Sequence, residues 1–329
     1  MWQKFKKNKR GYYSLIIFSI IFIVTLFAEI IANDKPLIVK YKDDYYFPLI
    51  KNYSEQHFGG QLKTYADYRD SVVKELINKE GWMLMPLIPF SYDTINFDLN
   101  GPAPTSPDKQ NWLGSDDQGR DILARIIYGV RVSLIFGIIL SFFSSIIGVF
   151  FGAIQGYFAG LLDLLFQRFM EIWSSMPTLF LLIILSSVIE PGFFSLLFLM
   201  LLFSWMSMVG FVRAEFLRLR NFDFVKSAKA IGANDYYIMW RHILPNASPI
   251  IMANLPFLIA GSITTLTALD FLGLGMPAGS ASLGELLAQG KNNINSYWIA
   301  ISGFIILTKI LMLLVFIGEA LRDALDSRK

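Results

Sequence analysis

The chain has 329 residues, 54% of them hydrophobic, with 29 Lys and Arg against 26 Asp and Glu and a net charge of +3. That balance excludes the clustered basic footprint of a nucleic-acid binder, and the mean hydropathy of +0.48, carried in long apolar runs, sets the chain apart from ordinary soluble domains. It has no cysteine, which excludes disulfides and thiolate metal sites, and its two histidines, His57 and His242, lie too far apart in sequence to suggest an imidazole metal centre.

The N-terminus is basic, with Lys4, Lys6, Lys7, Lys9 and Arg10 ahead of an apolar run from Tyr12 to Ala32. The run is longer than a signal-peptide core and has no clean small-residue cleavage site. It reads as an uncleaved anchor, since about 20 apolar residues span a bilayer. Residues 1–32 are therefore a basic tail plus a first transmembrane helix. Residues 33–128 mix Tyr, Asp, Lys, Pro and Gly and read as a polar insert of turns and short elements, with a helix around Asp67–Asn78.

Residues 129–329 form the membrane core, with apolar stretches near 130–156, 164–189, 193–213, 249–271 and 297–318. Pro177 should kink the second of these, and Glu190-Pro191-Gly192 reads as a tight turn. With the anchor, the expected fold is an all-α membrane protein with six transmembrane helices and an extracytoplasmic insert between the first and second. The segment 214–248 and its approach hold Arg213, Arg218, Arg220, Lys226, Lys229 and Arg241, whereas 272–296 holds only Lys291. The positive-inside rule puts 214–248 and both termini in the cytoplasm of a multi-pass inner-membrane protein, with the long insert exempt from the count.

Apparent enzyme motifs fail. "GELLAQGKN" (284–292) has five residues between its glycines and Asn after the Lys, where a phosphate loop needs four and Ser or Thr. "SVVK" (71–74) has no partner motif and reads as a surface helix. The reading is of a non-catalytic chain with no metal site and no cofactor of its own.

The informative stretch is "KSAKAIGANDYYIMWRHILP" (226–245), a charged segment between apolar runs. Residues 222–231 favour a helix that Gly232 would end. Asn234 or Asp235 could cap a second short helix over "YYIMWRHIL", and Pro245 marks the return to the membrane. The segment is read either as a docking element on the cytoplasmic face or as a solvated, headgroup-lying amphipathic loop.

The spacing resembles the EAA loop of ABC import permeases, in which Glu-Ala-Ala, three residues, Gly and a terminal Ile-x-Leu-Pro follow in order. Here Lys226-Ser227-Ala228 stands at the first position, with Lys for Glu; Gly232 follows after three residues, and Ile243-Leu244-Pro245 closes the pattern. "NWLGSDDQGRDILARIIYGVRVSL" (111–134), "RFMEIWSSMPTLFLL" (168–182) and "LDFLGLGMP" (269–277) resemble further segments of the dipeptide and oligopeptide permeases. The opening of the insert, residues 31–60, resembles the Yej-type peptide and microcin C permease. The resemblance implies a permease subunit of an ATP-driven peptide importer, whose cargo includes oligopeptides and microcin C-like antibiotics. Its implied partners are a second homologous permease, cytoplasmic ATPase subunits that bind the ATP, an extracytoplasmic peptide-binding protein and membrane lipid, with no nucleic acid. It also implies that Lys226, Ser227, Ala228, Gly232, Ile243, Leu244 and Pro245 couple ATPase closure to the membrane helices. The other class considered is a self-sufficient channel or ion-coupled carrier, which usually shows an internal repeat or several mid-membrane charges.

Two charges fall in or beside the membrane. Lys309 lies near the middle of the sixth stretch and should face the bundle interior, a partner subunit or water, because a mid-bilayer charge costs about 2.5–3.5 kcal/mol. Asp270 ends the fifth stretch, as a gate at the outer mouth or as a solvated interfacial carboxylate. Gly148, Gly152 and Gly156 are spaced like a close helix–helix seam. The hydroxyls at Ser141, Ser144, Ser145, Ser262, Thr264, Thr265 and Thr267 read as helix contacts rather than as a polar passage.

Overall fold

A computed structural model describes residues 2–186, 189–190 and 192–325. Pro191, in the expected turn, lies outside them. The chain is mostly helical. Among the described residues, five helices are long and apolar enough to cross a membrane, and a bent pair taken as one span makes a sixth. Two compact units emerge: Met1–Ile20 with Ser133–Pro277 and Leu307–Lys329, and Ile21–Val132 with Ala278–Ile306.

The spans are Lys9–Leu26, Ile122–Phe158, the pair Gly160–Ser175 and Thr178–Leu185, Phe193–Leu219, Asp235–Phe271 and Tyr297–Leu325. The pair bends by 66° at Met176-Pro177, because proline disfavours helical backbone in the residue before it.

In the first unit, the second and fourth spans meet along the glycine seam. A Cβ on Gly148 would lie 2.7 Å from Met208 Cβ, one on Gly152 2.8 Å from Val209 O, and one on Gly156 2.5 Å from Phe216 Cβ. Only hydrogen fits, so the backbones approach closely. The hydroxyls of Thr264, Thr265 and Thr267 donate back to carbonyls four residues earlier, and Ser141 and Ser262 sit 3.3 Å apart. These side chains join or satisfy helices. The short helix Trp2–Lys7 buries Phe5 against Ala320 and Ala324 of the sixth span.

In the second unit, the insert is not wholly helical. It holds an antiparallel sheet in the order β2-β1-β3, built from β1 Ile38–Tyr41, β2 Asp44–Tyr46 and β3 Gly81–Leu84. The helix Ser71–Glu80, capped by Asp70 accepting from Val72 N at 2.7 Å, lays Val73 and Ile77 onto Val39, Tyr41, Phe58 and Tyr68. "SVVK" is the first turn of that amphipathic helix. The span 284–292 likewise lies in a regular helix, Leu283–Asn292, capped by Ser282.

Candidate functional site: the segment between the fourth and fifth spans

The segment starts with the helix Asp223–Ala230. Its end is a Schellman motif. Gly232 N donates to Lys229 O at 3.0 Å and Ala233 N donates to Ala228 O at 3.1 Å, while Gly232 takes φ +83°, a left-handed conformation that suits a residue without Cβ. Ala228 and Ala233 supply the small apolar contact across the cap within one core cluster. The spacing of Ala228 and Gly232 thus has a local cause. The alanine provides the carbonyl and the small buried side chain, and the glycine provides the reversal.

Asn234 then caps the next helix by accepting from Tyr237 N at 2.7 Å. The second short helix expected here does not exist as a separate element. Helix runs without a break from Asp235 to Phe271, so Ile243, Leu244 and Pro245 lie within it and Pro245 does not end it. The reason lies in the backbone. Over Ile238–Ile243 the helix widens to π-helical spacing, which relaxes the clash between a proline ring and the carbonyl four residues earlier. Polar side chains then serve carbonyls around the prolines: Asn246 Nδ2 donates to His242 O at 2.6 Å, and Ser248 Oγ donates to Pro245 O at 2.8 Å, the carbonyl whose usual donor Pro249 lacks.

Val225, Ala228, Ile238, Met239 and Ile243 are buried against Ala153 and Tyr157 of the second span and Met208, Val212 and Phe216 of the fourth. Polar ties reinforce this. Tyr157 donates its hydroxyl proton to Asp235, Lys229 Nζ lies 4.8 Å from the Tyr157 ring centroid, and Arg220 Nη1 donates to Tyr157 O at 3.0 Å. Arg213 forks onto Asp163 with two bonds of 2.6 Å, joining the fourth span to the third. Lys226, Ser227, Gly232 and Pro245 are exposed. Around them stand Phe222, Phe224 and Tyr237, with Ile231 86% and Tyr236 72% exposed. The segment is thus firmly seated on the spans and presents an apolar, cation-edged surface outward. Uncovered apolar clusters of this kind mark interaction sites.

Asp270 and Lys309 do not join this site. Asp270 is half-buried and its Oδ1 accepts from Met276 N at 2.7 Å, fastening the turn after the fifth span. Lys309 is exposed on the sixth span, so its own chain does not bury it, and a partner subunit or water is left of the surroundings expected for it. Helical phase decides this: on the same helix Ile310 and Leu314 are buried, while Ile305, Lys309 and Met312 look outward.

A second constellation, in the other unit, had no place in the sequence reading. Arg120 Nε bonds Asp116 Oδ2 at 2.7 Å, and its Nη2 lies 3.1 Å from Glu285. Arg125 Nη2 lies 2.9 Å from the same carboxylate and also donates to Ser280 O, while Nη1 donates to Tyr92 O. Asp116, Arg120 and Arg125 are all buried. Neighbouring Asp121, buried, accepts from Asn111 and Ala124 and is pushed above the ordinary aspartate range by burial. Asp117 is also raised, by burial first and then by the charge of Asp116. The only sequence signal was a dense "GSDDQGRDILAR" ahead of a span. Its partner Glu285 lies 160 residues beyond Arg125, which a single sequence does not connect.

Residues 148–329 match the family described as binding-protein-dependent transport system inner membrane component, and residues 1–58 match the N-terminal TM domain of oligopeptide transport permease C. The chain belongs to the binding-protein-dependent transport family. It is 54% identical to the inner membrane ABC transporter permease protein YejE of Escherichia coli (strain K12), over 100% of this chain and 96% of that one. It is 50% identical to the peptidoglycan transport system permease protein YejE of Agrobacterium fabrum, over 100% and 92%. It is 34% identical to the oligopeptide transport system permease protein OppC of Bacillus subtilis, over 73% and 78%. As a member of this family the chain is a multi-pass inner-membrane permease component of an ABC transporter, a transport subunit and not an enzyme.

Proposed function

We propose that this chain is one of two homologous permeases in an ATP-driven peptide importer of the bacterial inner membrane, and that residues 222–245 couple ATPase closure to alternating access. The observation that carries the coupling role is the segment itself: two caps and a buried apolar seat fix it to the second, fourth and fifth spans, while Ile231, Tyr236 and the cation Lys226 face outward. A docked ATPase would cover those side chains and bind the ATP, so this chain needs no cofactor. Lys226, Ser227 and Gly232 lie on the contact face, Ala228 and Ile243 seat it, and Leu244 and Pro245 carry the motion into the fifth span.

The basic segment and both termini lie in the cytoplasm, and the insert faces an extracytoplasmic peptide-binding protein. Packing of Phe5 against the end of the sixth span supports both termini sharing one side. Lys309 faces the second permease, since an exposed mid-span cation in lipid is costly. Asp270 acts near the outer mouth as the anchor of a turn. Peptide cargo rests on the oligopeptide permeases among the relatives, and microcin C-like peptide antibiotics would travel by the same route. The relative named for peptidoglycan transport makes peptidoglycan-derived peptides a second cargo to test.

The test is a mild-detergent pull-down of the tagged chain from its own host, with mass spectrometry. An ATPase and a homologous permease in stoichiometric amounts, with the ATPase lost on deletion of 226–245, are expected. A chain that purifies alone and moves solute into liposomes without ATP would reject the proposal in favour of a channel or carrier.

A further inference from the structure

The insert carries a groove unrelated to the coupling segment. One part is a cavity of about 360 Å³ with an apolar floor of Ile88, Phe90 and Leu123 and a wall of Trp112, half of whose surface is exposed. Arg69, Lys74 and Lys109 surround it. Arg69 is partly held, stacked 4.5 Å over Phe90 and donating to Ile95 O and Asn96 Oδ1. The ammonium groups of Lys74 and Lys109 have no partner among the described residues. Asp121 also lines the cavity, but its carboxylate is buried and committed to Asn111 and Ala124. Asp98 lines this cavity too, so this end sets three cations against one uncommitted carboxylate.

Arg69, Lys74 and Asp98 also line a second cavity, of about 800 Å³, so the two are parts of one groove. The second part has the opposite character. Asp34, Asp67, Asp70, Asp93 and Asp98 line it against Lys35, Arg69 and Lys74. Asp34 accepts from Thr94, and Asp67 and Asp70 accept from backbone N–H groups. The carboxylates of Asp93 and Asp98 have no partner among the described residues.

The groove is thus polarised by its outer members, with Lys109 over the apolar floor at one end, Asp93 at the other, and Lys74 and Asp98 where the two parts meet, and its volume suits a small ligand. We propose that it binds a short peptide with both ends free. The terminal carboxylate meets Lys74, Lys109 and Arg69, the last side chain rests against Trp112 and Phe90, and the terminal ammonium meets Asp93 and Asp98. Choosing a peptide rests on the peptide-transport reading; the polarity of the groove does not.

The test is calorimetric titration of the purified full-length chain in detergent with Ala-Ala-Phe, its C-terminal amide and its N-acetyl form. Charged hydrogen bonds of this kind correspond to a change of about tenfold in affinity. Amidation should weaken binding about tenfold, and Lys74→Ala with Lys109→Ala by the same factor. Amidation should have little further effect in that double variant, because both changes remove one contact. N-acetylation should pair in the same way with Asp93→Asn and Asp98→Asn. If the variants do not fold, the three peptides on the wild-type chain decide. Equal affinity for Ala-Ala-Phe and its amide overturns the proposal. So does a lysine footprint in which the binding protein, and not the peptide, shields Lys109. Gly232→Val should leave the titration unchanged, so failure here is separable from failure of the coupling role.

Discussion

Gly232 offers the sharpest test of the coupling segment. An added Cβ there would meet no atom within 4 Å, so substitution introduces no clash within the chain. What it introduces is backbone cost, because φ is +83° and a residue with Cβ pays about 1–2 kcal/mol in the left-handed region. Asn tolerates that region better, and β-branched residues worse. A shift of 1.4 kcal/mol is tenfold in population, so Gly232→Ala should depopulate the capped turn about five- to thirtyfold relative to the wild type, with Gly232→Asn milder and Gly232→Val more severe. The assay is uptake of labelled peptide by proteoliposomes holding the whole transporter, with ATP hydrolysis measured in the same sample. Peptide moved per ATP should fall in the order Gly, Asn, Ala, Val, with membrane insertion unchanged. Full uptake by Gly232→Val would refute the coupling role. Equal damage by Asn and Val would refute the backbone argument and point instead to crowding against the ATPase.

Other consequences are open to measurement. Gly152→Leu should destabilise the detergent-purified chain by about 1–3 kcal/mol through overpacking, read as a lower melting temperature, because the new Cβ would lie 2.8 Å from Val209 O and Val212 Cβ. Asn234→Ala removes the cap on Tyr237 N and should cost about 1 kcal/mol, seen as faster amide exchange over 235–238 without loss of the spans. Arg120→Ala leaves Asp116 buried beside Glu285 with one partner fewer and should cost about 3–5 kcal/mol; replacing Arg120 and Asp116 together by apolar residues should cost less, and the reverse order would contradict the account. Asp117 binds its proton more tightly folded than unfolded, so its ionisation opposes folding at neutral pH. Asp117→Asn should raise the melting temperature at pH 7, and the gain should shrink as pH falls through the raised folded value towards the ordinary aspartate value of 3.8. A gain that grows on acidification would reverse the sign of the argument.

The spans were legible because each carries enough apolar residues to reach across a bilayer, and Pro177 announced the break in the third. The Schellman cap was legible too, since Gly232 follows a helix-forming stretch. The fifth span was misjudged at its start. Asp235, Arg241, His242 and Pro245 interrupt hydropathy, but a helix needs only backbone pairing, and π-helical spacing over Ile238–Ile243 carries it past the proline. The sheet of the insert escaped because "IVKY", "DYY" and "GWML" are too short to display a two-residue period. The ion cluster of Asp116, Arg120, Arg125 and Glu285 escaped for a different reason: each residue is unremarked alone, and only tertiary folding places them together.

The continuity of the fifth span bears on how a displacement at the segment would travel. At 1.5 Å per residue, the 37 residues from Asp235 to Phe271 make a helix of about 55 Å. No loop lies between the capped turn at Asn234 and the turn held by Asp270, so no flexible joint absorbs movement there. Pro249 and Pro256 remove donors within it, but Ser248 restores a partner to the carbonyl that Pro249 leaves. The segment's first helix is meanwhile tied to Tyr157 and to the fourth span, and the seam of Gly148, Gly152 and Gly156 locks the second span to the fourth. A push on Ile231 or Tyr236 therefore acts on the second, fourth and fifth spans as one block. The third span is bent at Pro177 and is joined to that block by Leu182 packed among Leu196, Leu199 and Met200, by Trp173 Nε1 donating to Leu202 O at 3.0 Å, and by the Arg213–Asp163 ion pair. Weakening that pair with Arg213→Gln should change transport per ATP while leaving ATPase binding intact, whereas loss of ATPase binding would show that the pair shapes the docking face instead.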